Sequence, residues 1–133
     1  MADRQTDIPT ILTTLHAAFK RRDMDTIARY FDEDVRFVTP DGEMLGKQAR
    51  IDDEQRLFDT FDDSEVEVTA AIINGDEAAE FCVLHAVSKV GPAPGRKIAM
   101  RYVVHYRFAG ELITFQEVCF DRLALHQQLG LAA

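Results

Sequence analysis

At 133 residues, 47% hydrophobic and 29% charged, the chain has the composition of one globular domain, residues 1–133, long enough to bury a core. A net charge of -8 and a pI near 4.9 argue against nucleic acid and anionic membrane as partners, since both need a positive field. No apolar run reaches the roughly 18 residues of a membrane span, and the first residues lack the apolar stretch of an export signal, so a cytoplasmic protein with reduced thiols is expected.

From Asp7 to Arg22 the residues Ile8, Ile11, Leu12, Leu15, Ala18 and Phe19 recur at helical spacing, with Pro9 suited to a first turn. The triplet Lys20-Arg21-Arg22 falls at the end of this helix, where cations meet its negative dipole end. Asp23 or Asp25 caps a short second helix carrying Ile27, Ala28, Tyr30 and Phe31. Val35 to Thr39 alternates as a strand and stops at the turn Pro40-Asp-Gly42. A loop through Gly46 leads to a third helix, about Arg50 to Phe61, with Ile51, Leu57, Phe58 and Phe61 inward. Then comes a meander: Val66 to Ile72, the turn Asn74-Gly-Asp76, Phe81 to Val90, a breaker loop over 91–95, Ile98 to Phe108, and Leu112 to Asp121. A short helix from Arg122 closes the chain. Helices followed by consecutive strands predict an α+β fold, a curved antiparallel sheet wrapped over helices.

Metal chemistry has no support in the spacing. Cys82 and Cys119 form no Cys-x-x-Cys, and His16, His85, His105 and His126 show no ligand pattern. Phosphate loops, G-x-S-x-G elbows and H-E-x-x-H are absent as well, so neither a metal nor a cofactor is expected. The last strand holds the most chemical information. Alternation places Phe115, Glu117, Cys119 and Asp121 on one face, two acids beside an aromatic ring and a thiol. Glu117 and Asp121 are four residues apart, roughly 13 Å, too far to share a proton. Asp121 also stands where it would cap the final helix.

The order of elements resembles the NTF2-like superfamily and, within it, the SnoaL-like proteins, which include polyketide cyclases and relatives of ketosteroid isomerase. The matching phrases are Arg22-Asp-Met-Asp25, Tyr30-Phe-Asp-Glu-Asp-Val35, Gly46, Asn74-Gly-Asp76, Tyr106-Arg-Phe108 with Gly110, and Phe120-Asp121 with Gln128-Leu-Gly130. The resemblance implies three helices closing one side of a bent sheet around a deep apolar pocket. It does not imply an activity, because the superfamily mixes catalysts with non-catalytic members. The steroid isomerase triad would fall on Leu15, Thr39 and Val104, which can neither abstract an α-proton nor hydrogen-bond an enolate from the expected places, so that activity is disfavoured.

The same alignment implies which faces look inward: Met100, Tyr102, Val104 and Tyr106 on the long strand, Cys82, Leu84 and Ala86 beside it, and Phe115, Glu117, Cys119 and Asp121 on the last strand. Glu117, its carboxyl desolvated by Phe115 and Cys119, is then the candidate acid/base, with Asp121 and Tyr102 assisting; a satisfied structural Glu117 and a merely capping Asp121 are the alternatives. Leu15, Phe19, Phe31, Phe37, Thr39, Phe58, Phe61, Cys82, Leu84, Met100, Val104, Tyr106, Phe115 and Cys119 would line the pocket. Phe81, Val83, His85, Arg101, Val103 and His105 would face outward and join two copies into a homodimer. Two functions remain open: a cofactor-free isomerase, cyclase or hydratase acting on a small apolar molecule, and a binding or assembly module of the same fold.

Overall fold

A computed structural model describes residues 7–92 and 94–132. Its elements are α1 (Ile8–Arg21), α2 (Met24–Arg29), β1 (Phe31–Thr39), β2 (Gly42–Leu45), α3 (Lys47–Thr60), β3 (Phe61–Asn74), β4 (Glu77–Ser88), β5 (Lys97–Ala109), β6 (Leu112–Phe120) and α4 (Arg122–Leu129). The α1 stripe is as its spacing predicts: Ile8, Ile11, Leu12, Leu15 and Ala18 are all buried. Asp7 caps it by accepting from the Thr10 amide at 3.2 Å. Arg22, in the left-handed region at φ 57°, ends it and returns its N–H to the Ala18 and Phe19 carbonyls. Asp23, not Asp25, caps α2 through the Thr26 amide. Tyr30 ends that helix, so Phe31 opens β1 instead of continuing α2.

The sheet order is β2-β1-β6-β5-β4-β3. All neighbours are antiparallel except β1 and β6, which run parallel. Strand β2 lies in what the sequence reads as a loop; Pro40-Asp41 turns the chain so that Thr39 pairs with Gly42. Its apolar content is too slight to signal a strand. The core between the helices and the sheet is centred on Leu15, Ile27, Phe31, Val35 and Ile113, each at most 1% exposed. Burying five such side chains stabilises the fold by about 1.5–3 kcal/mol apiece before entropy is counted. A smaller cluster of Phe61, Ala86, Ile98 and Leu129 ties α4 to the far end of the sheet.

One residue decides which face β6 turns inward. The β5–β6 hairpin starts with Ala109 opposite Leu112 and Phe108 opposite Ile113. The next pair is Arg107 with Phe115, so Thr114 is an extra residue on β6, a β-bulge. Beyond it Tyr106 faces Gln116, Val104 faces Val118 and Tyr102 faces Phe120. Cross-strand partners share a face, so Gln116, Val118 and Phe120 point inward with the tyrosines. Phe115, Glu117 and Cys119 are turned to the convex side. The inward placement of these three residues is thereby corrected: an unbroken register would have produced it, and a one-residue slip reverses every side chain after it. On β4 and β5 the expected parity holds, with Cys82, Leu84, Ala86, Met100, Tyr102, Val104 and Tyr106 on the inner face and Phe81, Val83, His85, Arg101, Val103 and His105 on the outer.

Candidate functional site

The inner face of the sheet, α1 and α3 border a cavity of about 230 Å³. Phe19, Phe37, Phe58, Phe61, Leu84, Met100, Val104, Val118 and Phe120 supply most of its apolar wall. Thr39, Tyr102 and Tyr106 reach it as well. Other expected lining residues lie elsewhere. Leu15 and Phe31 are 1% and 0% exposed in the core behind the wall, and Cys82 is buried against the sheet. Phe115 stands on the outer surface between Arg36 and Arg107, whose guanidinium carbons lie 5.6 and 5.1 Å from its ring centre. Glu117 is the cross-strand partner of His105 on that surface, and Cys119 is exposed there. Asp121 accepts from the Ala124 amide at 3.0 Å and caps α4, and it is exposed. The acids of the last strand therefore do not form the site.

The buried polar groups come from three other elements. His16, on α1, places Nε2 against both carboxylate oxygens of Glu80 on β4, at 2.9 and 3.1 Å. Glu80 is 3% exposed, and Nδ1 of His16 is buried without a hydrogen-bond partner among the described residues. A carboxylate can only accept, so the bonded Nε2 donates to Glu80. On α3, Arg50 is 3% exposed and Glu54 6%. Arg50 Nε donates to Gln116 Oε1 at 2.7 Å, and Nη2 donates to Glu54 at 2.8 Å. Its remaining nitrogen, Nη1, has no partner among the described residues. A buried guanidinium survives because these bonds and the Glu54 charge offset its desolvation.

Tyr102 and Tyr106 stay protonated through the neutral range. Burial raises both phenols well above their ordinary value; for Tyr102 the neighbouring Cys82 adds to the effect, and for Tyr106 the nearby Glu80 charge does. Burial likewise pushes the Cys82 thiol up to about 11, with Glu80 adding to the effect, which makes it a poor nucleophile.

The sequence carried faint signals for the polar residues. Arg50, Glu54 and Phe58 recur every four residues, so one helical stripe takes an ion pair inward with the ring. Glu80 shares period-2 parity with Cys82 and Leu84, but a strand read as beginning at Phe81 leaves it out. His16 follows Leu15 at the edge of the apolar stripe of α1, a position usually given to solvent. Among the described residues no group of three or more His, Cys, Asp or Glu is arranged to hold a metal ion, and no helix is long and apolar enough to cross a membrane.

A curled six-stranded sheet with helices over one face defines the NTF2-like class of α+β proteins. Residues 12–116 match the sequence model of the SnoaL-like domain, and the chain belongs to that family. Solved structures agree in fold. A hypothetical protein from Catenulispora acidiphila with a ketosteroid isomerase-like fold, crystallised with trimethylamine, superposes with a TM-score of 0.80 at 23% identity, over 92% of this chain and 94% of that one. A proposed hydroxylase from Streptomyces galilaeus has a TM-score of 0.82 at 19% identity, over 94% and 85%. A proposed polyketide cyclase from Xanthomonas campestris has a TM-score of 0.79 at 18% identity, over 94% and 96%. No curated protein sequence matches the chain.

Proposed function

We propose that the cavity takes a small apolar molecule and that His16, oriented by Glu80, moves a proton on it without a cofactor. The observation that carries this reading is the pairing itself: a histidine at the cavity wall with one nitrogen on a buried carboxylate and the other unpartnered. A volume of about 230 Å³ suits a one- or two-ring compound. In the proposed step the C–H bond next to a carbonyl breaks and its proton passes to Nδ1. The electron pair moves onto the carbonyl oxygen, giving an enolate and an imidazolium. The imidazolium then returns the proton to the same or a conjugated carbon, and Glu80 stabilises the transient cation through a charge-assisted bond. Isomerisation and ring closure by carbon–carbon bond formation both begin with such a step. Relatives described as cyclases and isomerases are compatible with it.

The test is deuterium exchange at the α-carbon of α-tetralone in D₂O, followed by proton NMR. Exchange accelerated by the protein and lost in His16→Phe supports proton transfer. Tight binding of the ketone with no acceleration supports the binding-module function in its place. A second copy of the chain is proposed as the partner of the convex face, where Ile72 and Phe81 are 60% and 39% exposed beside Val83 and Val103. Sedimentation equilibrium of the wild type and of Phe81→Glu checks it: a dimer that the substitution dissociates is expected, and a monomeric wild type sinks it.

A further inference from the structure

Within the cavity reading, on which this inference rests, we infer that ligands enter through a mouth between the last turn of α1 and the start of β3, with Phe19 as its gate and the Lys20–Glu65 ion pair as its latch. A surface cleft of about 400 Å³ lies at this place, between Lys20 and Arg22 on one side and Asp62, Asp63 and Glu65 on the other. Phe19, Lys20 and Ser64 border both this cleft and the inner cavity, so the two spaces meet across these three side chains. Strand β3 is bulged there. Asp62 pairs with Val87 and Glu65 with His85, which leaves Asp63 and Ser64 together opposite the single Ala86. Asp63 takes φ 50°, in the left-handed region that an L side chain adopts at some strain. The ladder is interrupted at this point, and side chains complete the wall. Phe19 is half-buried and its ring meets His16 edge-on, with centres 6.2 Å apart. His16 borders the inner cavity but not the cleft, so Phe19 is the link between the outer space and the proposed base.

The two sides of the mouth are unequal. Arg22 fastens one: its guanidinium donates to the carbonyls of Phe58, at 2.7 Å, and Phe61, and it lies 5.2 Å from the centre of the Phe58 ring. Lys20 fastens the other through Glu65 at 3.5 Å, and both of these side chains are 65% exposed. Water screens such a pair and competes for both partners, so it holds weakly and parts without disturbing the fold. The opposite end of the cavity, near Asp41 and Leu125, is bounded by an anchored helix. Arg122 ties the start of α4 to Asp41. Near its end the Gln128 carbonyl accepts from Arg96 at 2.8 Å and Gln128 Oε1 from the Ala99 amide at 2.9 Å, while Leu129 is buried with Phe61, Ala86 and Ile98. Entry at that end displaces a helix. Entry between α1 and β3 needs one ring to turn and one exposed ion pair to part, and exposed side chains change rotamer far faster than packed helices shift.

The test bridges each end in turn, in a full chain carrying Cys119→Ser so that the introduced thiols are the accessible ones; Cys82 is buried. Lys20→Cys with Glu65→Cys, joined by bismaleimidoethane, holds the proposed mouth closed. Asp41→Cys with Arg122→Cys, joined in the same way, pins the α4 end. Binding of the neutral dye phenyl-α-naphthylamine, whose emission rises in apolar surroundings, is followed by stopped flow. A gate that favours neither the free nor the bound state changes the rates in both directions and leaves their ratio alone. The first bridge is therefore expected to slow association and dissociation at least tenfold each with Kd within threefold of the unbridged chain, and the second to change either rate less than twofold. Slowing by the second bridge alone would move the entrance to α4 and overturn the inference. Rates that neither bridge affects would overturn it too, as would a first bridge that weakens Kd tenfold, the mark of a distorted wall. Should the bridged chain not fold, Lys20→Glu sets two acids face to face across the mouth and is expected to raise both rates at least threefold; unchanged rates refute the latch. A dye that never binds the wild type would remove the cavity reading together with this inference, whereas gated binding without deuterium exchange of α-tetralone would sink proton transfer alone.

Discussion

Replacing Glu80 by Gln separates a structural pair from a catalytic one. The side chain keeps its shape and can still accept from Nε2, at a site where the present oxygens lie 2.9 and 3.1 Å from the ring nitrogen. In the resting state the exchange trades a charge-assisted bond for a neutral one, a loss of about 1 kcal/mol, and relieves the desolvation of a carboxylate only 3% exposed. Stability should therefore change by about 1 kcal/mol or less, near 3–4 °C in melting temperature for a chain of this size. The transition state differs, because His16 has become a cation. At an effective dielectric near 20, an imidazolium and a carboxylate roughly 3 Å apart attract by about 5 kcal/mol. The amide dipole and local relaxation recover part of that, leaving a loss of at least about 2.7 kcal/mol, a hundredfold in rate. The assay pairs thermal melting with the deuterium exchange of α-tetralone. An exchange rate within threefold of wild type in a folded Glu80→Gln protein would refute the proposed role of the pair.

Other expectations follow from the same geometry. Glu117→Gln should leave ligand binding and exchange within twofold of wild type, because Glu117 is on the convex face; a tenfold loss measured in the same assay would contradict the register of β6. At high pH the protein should lose stability. Tyr102 and Tyr106 have folded values above their ordinary 10.0 and Cys82 one of about 11 against 9.0, so the unfolded chain releases these protons first. Their contribution is complete below pH 9, begins to fall between 9 and 10, and by pH 11 has fallen by about 1.4 kcal/mol per phenol, as urea titrations at stepped pH would record. A midpoint constant from pH 8 to 11 would count against the buried phenols. Thiol labelling at pH 8 should modify Cys119 rapidly and Cys82 only on unfolding, read by mass spectrometry as one adduct per native chain and two in denaturant.

Much of the architecture was legible from local pattern. The stripe Ile8, Ile11, Leu12, Leu15, Ala18 is amphipathic enough to specify α1 without help, and Asp121 is a cap because it stands before Arg122-Leu-Ala-Leu with its side chain free to turn back onto an amide. The strands from Val66 onward announce themselves by alternation and by the turn Asn74-Gly-Asp76, whereas Phe61, read as the end of the third helix, opens β3. The site was far less legible. The aromatic wall was largely foreseen, in Phe19, Phe37, Phe58 and Phe61, since large rings on inward stripes must cover something. The chemistry was sought on β6 and lies on α1, α3 and β4, because acids in an apolar strand are conspicuous and a histidine at the margin of a helix is not.

By itself, the sequence determined most element types and their order, though not β2, and pointed to the cap at Asp121, all properties of residues close together in the chain; the inner faces of β4 and β5 were implied by the family resemblance. Tertiary structure alone decided the rest. Thr114 bulges out of the β5–β6 ladder because pairing across two strands must absorb one extra residue, and that displacement sends Glu117 outward and Gln116 inward to meet Arg50. His16 meets Glu80 across 64 positions only when α1 lies over β4. Periodicity reports which side of its own element a residue occupies. Which residue it faces is settled by packing between elements, and every buried polar contact of this cavity except Arg50–Glu54 is of that second kind.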